Sequence, residues 1–142
     1  MMLNNVTADK MYLTDDDPVR PELSYAFRIS NNKEFLVLED KVPAACICVA
    51  YLKQVPTEVK DLVVYDDDEP SVAVFYTVWS YTKGAGRDIV FRAVEYIKET
   101  RPEINRFVTL SPKTEMARKF HLKNGAILLN ENAMTDNYEY LV

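Results

Sequence analysis

The feature that most constrains this chain is the run at residues 72–79, VAVFYTVW, with the glycine pair and helix pattern that follow it. The run is apolar or β-branched at nearly every position, not at every second one. A strand of that kind is covered on both faces and belongs in the middle of a sheet. Gly84 and Gly86 come next, and Ile89, Val90, Ala93, Val94 and Ile97 then recur at helical spacing up to about Thr100. Asp88 stands in the first turn, where the helix dipole favours a carboxylate, and Pro102 ends the helix. Residues 106–110, RFVTL, make the next strand. Strand, helix and strand over 72–110 predict a right-handed crossover between parallel strands, and hence an α/β or α+β domain.

The flanks complete that domain. Residues 35–38 and 44–52 read as the arms of a hairpin turning at 40–43, and 62–65 as a brief strand. Residues 18–30 fit either a short helix or an irregular strand. Ser111 and Pro112 read as N-cap and first position of a second helix. That helix carries Met116, Ala117 and Phe120 on one face and ends with Gly125 at C′. Strands are expected at 126–129 and 138–142, the last as an exposed edge that could pair between subunits in a homodimer. With 142 residues and no linker, repeat or low-complexity segment, residues 1–142 form one domain.

Composition removes several functions. The net charge is −5, from 17 basic and 22 acidic residues, which argues against nucleic acid as partner. One histidine, His121, beside only two cysteines is a poor zinc set, so no metal site is expected. Cys46 and Cys48 lie on one face of an apolar strand and read as buried, inert thiols in a reducing, cytoplasmic setting. No apolar run reaches a membrane-spanning length, and the N-terminus lacks the apolar core of a secretory signal. Two acidic runs, 15–17 and 66–69, each border a proline. They read as solvated loops, or as an acidic rim that attracts a cationic substrate.

The turn Lys83-Gly84-Ala85-Gly86-Arg87 lies between a buried strand and a helix start. The first amides of a helix lack internal partners and carry the positive end of the dipole. Glycines allow close approach, and Lys83 and Arg87 add charge, so the turn suits a phosphate or diphosphate. It is not a nucleotide P-loop, because Arg87-Asp88 stands where Lys-Ser/Thr is needed. Nor is it a dinucleotide fingerprint, which wants a small residue where Ile89 stands and an acidic residue after the next strand. The remaining alternative is a tight turn that binds nothing.

Residues 72–126 resemble the GNAT superfamily of acyl-CoA N-acyltransferases. In that family a central strand runs into an Arg/Gln-x-x-Gly-x-Gly/Ala loop that opens a helix. Here the loop reads Tyr81-Thr82-Lys83-Gly84-Ala85-Gly86, matching at the glycines and departing at Tyr81. The second signature, Ala-x-x-φ-Tyr-x-Lys-x-Gly-Phe with φ apolar, meets residues 117–126. Ala117, Phe120, Lys123 and Gly125 fit it, with His121 in the tyrosine position and Ala126 in the aromatic one. The resemblance covers about 34–142, and residues 1–33 diverge.

The resemblance implies a mixed central sheet with splayed parallel strands and helices on both faces. It implies acetyl-CoA as co-substrate, with its pantetheine arm in the splay. Backbone groups at Thr77, Val78 and Trp79 would bond that arm like a missing strand. The amides of Lys83, Gly84, Ala85, Gly86, Arg87 and Asp88 would hold the diphosphate. An unidentified small-molecule or peptide amine attacks the thioester directly, with a backbone N–H stabilising the oxyanion. His121 takes the place of the acid that protonates the leaving thiolate, an imidazolium near pKa 6.5 being suited to this; the other reading is a satisfied core histidine. A general base is not evident: the strand holds no carboxylate, and 66–69, Tyr76 and Tyr81 are the nearest groups. Two alternatives stand beside this one. The first is a GNAT-fold binding or regulatory protein with weakened catalysis, and the second is an unrelated α/β domain.

Overall fold

The computed structural model describes residues 1–63 and 69–142. Its strands are β1 (Met2–Asn5), β2 (Lys33–Asp40), β3 (Val42–Leu52), β4 (Val72–Ser80), β5 (Arg106–Thr109), β6 (Ser111–Pro112), β7 (Ile127–Glu131) and β8 (Thr135–Tyr140). The α-helices are α1 (Tyr25–Arg28), α2 (Ala85–Thr100) and α3 (Glu115–Lys123), and 3₁₀ turns cover Ala8–Asp16 and Val59–Leu62. The strands form one sheet in the order β1-β2-β3-β4-β5-β8-β6, with β7 on β8. The β4–β5 pair is parallel, and the other pairs are antiparallel.

The run at 72–79 becomes β4, between β3 and β5. Its residues alternate between two cores. Ala73 and Phe75 pack with Ile89, Val90 and Ile97 of α2, whereas Val72, Val74, Tyr76 and Trp79 pack with Cys46 and Cys48 on the opposite face. Burial on both faces is why β4 lacks the usual apolar–polar alternation. Helix α2 buries the five positions that its periodicity singled out. Its N-cap, Gly84, has φ +86°, which an L side chain adopts at a cost of about 1–2 kcal/mol. Gly84→Ala, with open space around the added methyl, is therefore expected to lose about that much in urea unfolding. An unchanged midpoint would show that the turn relaxes.

Several expectations shift. Ser111 and Pro112 do not cap α3; they form β6 against Asp136 and Thr135. The cap is Thr114, whose Oγ1 accepts from the Ala117 N–H at 3.2 Å, while Ser111 Oγ donates to Thr109 Oγ1. Gly125 does end α3, in the left-handed region at φ +95°, and the Gly125 and Ala126 N–H groups donate to Leu122 and His121 carbonyls. The last strand is no edge, because β8 pairs with β5, β6 and β7; Leu141 and Val142 lie beyond it, exposed. The edge argument for a homodimer therefore falls away. Residues 18–30 hold the short helix α1. Of the strand expected at 62–65, Leu62 ends a 3₁₀ turn and 64–65 lie outside the described residues, as do 66–68 of the second acidic run. Among the described residues no helix is long and apolar enough to cross a membrane.

Candidate active site: the fork between two parallel strands

The β4–β5 ladder pairs Val72–Phe75 with Arg106–Thr109 and stops there. One more bond, from the Leu110 N–H to the Phe75 carbonyl at 3.1 Å, closes it. The chain then leaves β4 to pair with β8, while β4 continues along β3 as far as Ser80. Tyr76 is the extra residue of a bulge, since Cys48 faces Thr77 and Val49 faces Phe75. A bulge increases local twist and helps two parallel strands part. Beyond Phe75, β4 therefore has no strand partner on its β5 side among the described residues.

A cavity of about 300 Å³ occupies the fork. Thr77, Val78 and Trp79 form one wall, Leu110 and Ser111 the other, and Gly86 and His121 meet it from the helices. Met116, Ala117 and Phe120 also line it, so the apolar face of α3 covers the cavity, with Phe120 packed against the core as well; Met116 is highly exposed at the rim. A Cβ on Gly86 would stand 3.1 Å from Phe120 Cε1, so the missing side chain lets α3 close down on the start of α2.

The glycine turn is only partly aimed at this cavity. Gly86 lines it, whereas Lys83, Gly84, Ala85, Arg87 and Asp88 do not. Ala85 N–H donates to Thr82 O and Asp88 N–H to Gly84 O, which leaves the Gly86 and Arg87 amides without a backbone acceptor among the described residues. Lys83 is exposed. Arg87 donates to Asn124 Oδ1 at 3.2 Å and lies over the Phe91 ring. Tyr81, the departure from the loop pattern, accepts from Trp79 Nε1 and donates to Asp16 Oδ2 at 2.7 Å.

His121 lines the cavity but is 6% exposed, with Nδ1 2.7 Å from Tyr140 Oη and its ring stacked on Tyr138. Burial lowers its pKa to about 4. The ring is neutral at neutral pH, so the imidazolium donor expected from an ordinary histidine is not present. Cys46 and Cys48 are buried, and burial raises both thiols, Cys48 to about 12, which leaves them unreactive.

Sequence reasoning missed the N-terminal wall. Asp17 is buried, unlike its exposed neighbours Asp15 and Asp16, so the first acidic run is only in part a solvated loop. Asp17 Oδ1 accepts from the Val19 and Arg20 N–H groups and from Thr77 Oγ1 of β4, and Oδ2 from Arg28 Nη1 at 2.7 Å. With its oxygens so occupied, Asp17 is no general base. Pro18 and Val19 line the cavity. The available signal was Asp17-Pro18 with a second proline at Pro21, the pattern of a side-chain-capped turn. No signal marked its partners as buried charges. Among the described residues no Asp or Glu lines the cavity, and no cluster of His, Cys, Asp and Glu could hold a metal.

No protein-family model and no curated protein matches the sequence. Solved structures do match its shape. One is a malonyl-CoA decarboxylase from Cupriavidus metallidurans, at TM-score 0.72 and 16% identity over 99% of this chain. This chain spans 60% of the length of that one. Another is the N-acetyltransferase PseH of Campylobacter jejuni, at TM-score 0.64 and 12% identity over 98% of this chain and 96% of that one. A third is the GNAT domain of S. lividans PAT, at TM-score 0.65 and 12% identity over 97% and 88%. Identities this low speak for the fold and not for the activity: the chain has the GNAT fold, a mixed α+β sheet parted at its parallel pair.

Proposed function

We propose that this chain is an N-acyltransferase that moves an acetyl group from acetyl-CoA to an amine. The observation that carries the reading is the fork itself: an unpaired stretch of β4 beside a cavity that reaches the glycine start of α2. An open strand edge takes up an amide-bearing chain as a missing strand would, here at Thr77, Val78 and Trp79. The free amides of Gly86 and Arg87, with exposed Lys83 nearby, suit a diphosphate. The solved N-acetyltransferases of the same fold support the choice of an amine as acceptor. The unpaired thiols suit a reducing, cytoplasmic setting.

In this reading the amine nitrogen attacks the thioester carbonyl, a C–N bond forms as the C–S bond breaks, and the proton lost by the nitrogen passes through solvent to the departing thiolate, giving amide and free thiol. A neutral His121 that accepts from the Tyr140 hydroxyl at Nδ1 keeps its proton on Nε2 and offers that N–H to the leaving sulfur. Since no carboxylate among the described residues lines the cavity, the amine arrives neutral in this reading. The rate should then rise with pH toward the acceptor's own pKa.

The test is CoA release from acetyl-CoA with a panel of polyamines, amino sugars and peptide N-termini. Acceptor-dependent release is expected. His121→Phe should lower turnover by about tenfold or more while leaving acetyl-CoA affinity within about twofold. Turnover unchanged in that variant removes the role of His121. One observation favours the weakened-catalysis reading, that Asn124 and Phe91 already engage the Arg87 side chain. Acetyl-CoA binding without release on any amine would select it.

A further inference from the structure

We propose that Arg20 is a positioning residue that props β4 and β5 apart where their ladder stops, and so sets the width of the cavity. Two parallel strands that diverge leave carbonyls facing each other across the fork. Carbonyls only accept, so they cannot satisfy one another, and each one buried without a donor destabilises the fold. The Arg20 guanidinium supplies a donor to each strand: Nε to the Tyr76 carbonyl at 3.4 Å and Nη2 to the Leu110 carbonyl at 3.0 Å. Tyr76 is the bulge residue, and Leu110 directly follows β5. The planar fork of donors fixes the separation of its two acceptors, which a flexible ammonium cannot do.

Arg20 is itself immobilised. It is 8% exposed. Its N–H donates to Asp17 Oδ1, and its carbonyl accepts from Arg28 Nη2 at 2.8 Å and from the Leu23 N–H. Asp17 in turn holds Thr77 of β4. The segment 17–28 therefore forms a rigid bracket, anchored on β4 and pushing one cation into the gap. Nothing in the resemblance, which starts near residue 34, calls for it.

The test compares Arg20→Met, which keeps length without donors, and Arg20→Lys, which can serve one carbonyl. Amide hydrogen exchange is followed in the folded, ligand-free protein, and acetyl-CoA affinity is measured at a temperature where each variant is folded. In Arg20→Met the amides of 76–78 and 107–111 should exchange about tenfold faster or more, while those of 44–50 stay within about twofold. Acetyl-CoA should bind about tenfold more weakly. Arg20→Lys should fall between. Exchange unchanged in both variants, or accelerated equally across the sheet, overturns the proposal. Should Arg20→Met fail to fold, the same comparison in Arg20→Lys decides. A parent protein that binds no acetyl-CoA would sink the acyltransferase reading, whereas the exchange comparison would still decide the role of Arg20.

Discussion

Asp17→Ala is expected to lower the unfolding free energy by about 3–5 kcal/mol, because it leaves a buried guanidinium without its counter-ion. The side chains of Asp17 and Arg28 are both 0% exposed, and their bond is 2.7 Å. The substitution removes four acceptor contacts at once, two from backbone N–H groups, one from Thr77 and one from Arg28. Arg28 retains bonds to the Leu23 and Arg20 carbonyls and its place near the Phe35 and Trp79 rings, but no carboxylate. For a chain of this size the melting midpoint should drop by about 10 °C or more. Asp15→Ala, two residues away and exposed, is the control and should stay within about 0.5 kcal/mol. A loss below about 1 kcal/mol for Asp17→Ala would mean that the bracket is not a structural element in solution.

The second large effect is a loss of stability in acid that depends on His121. Its folded pKa, about 4, lies below the unfolded value near 6.5. Above pH 6.5 both states are neutral and the residue adds no pH dependence. Below it the unfolded chain binds a proton that the folded chain refuses, so stability falls with pH and levels off near pH 4. The gap corresponds to a loss of order 3 kcal/mol across that window. His121→Phe keeps a ring against Tyr138 and cannot titrate. It leaves the Tyr140 hydroxyl without its partner, a penalty that is constant across the window. Carboxylates that titrate in the same range are common to both proteins and drop out of the difference. Urea unfolding at pH 7, 5.5 and 4 should show the variant losing about 3 kcal/mol less than the parent. Parallel curves would place His121 in contact with water.

Where local signals and long-range pairing agree, the sequence is a good guide. The strand at 72–79 declares its central position because both faces need apolar cover, and α2 declares its span through Gly84, Pro102 and five periodic positions. Ser111-Pro112 misleads because the same dipeptide suits a helix start and an extended bridge. What decides is β8, which arrives more than twenty residues later. The C-terminal strand reads as an edge for the same reason, since its three partners cannot be seen locally. The site divides likewise. Thr77, Val78, Trp79, Gly86 and His121 were legible from a strand, a glycine turn and a helix signature. Arg20, Asp17 and Arg28 were not, because a charged residue reads as solvated until its counter-charge is located in space. The neutrality of His121 was hidden too, since it depends on the depth of the ring and on Tyr140.

In the proposed function the fork holds an acyl-CoA. Thermal unfolding of the full chain with and without acetyl-CoA, against ATP and NADH, tests it most directly. A ligand at about 100 times its dissociation constant adds about 2.7 kcal/mol, which for this chain raises the midpoint by roughly 5–10 °C. A rise of that order is expected with acetyl-CoA and little with NADH. No rise at saturating acetyl-CoA, or an equal rise with all three, would contradict it.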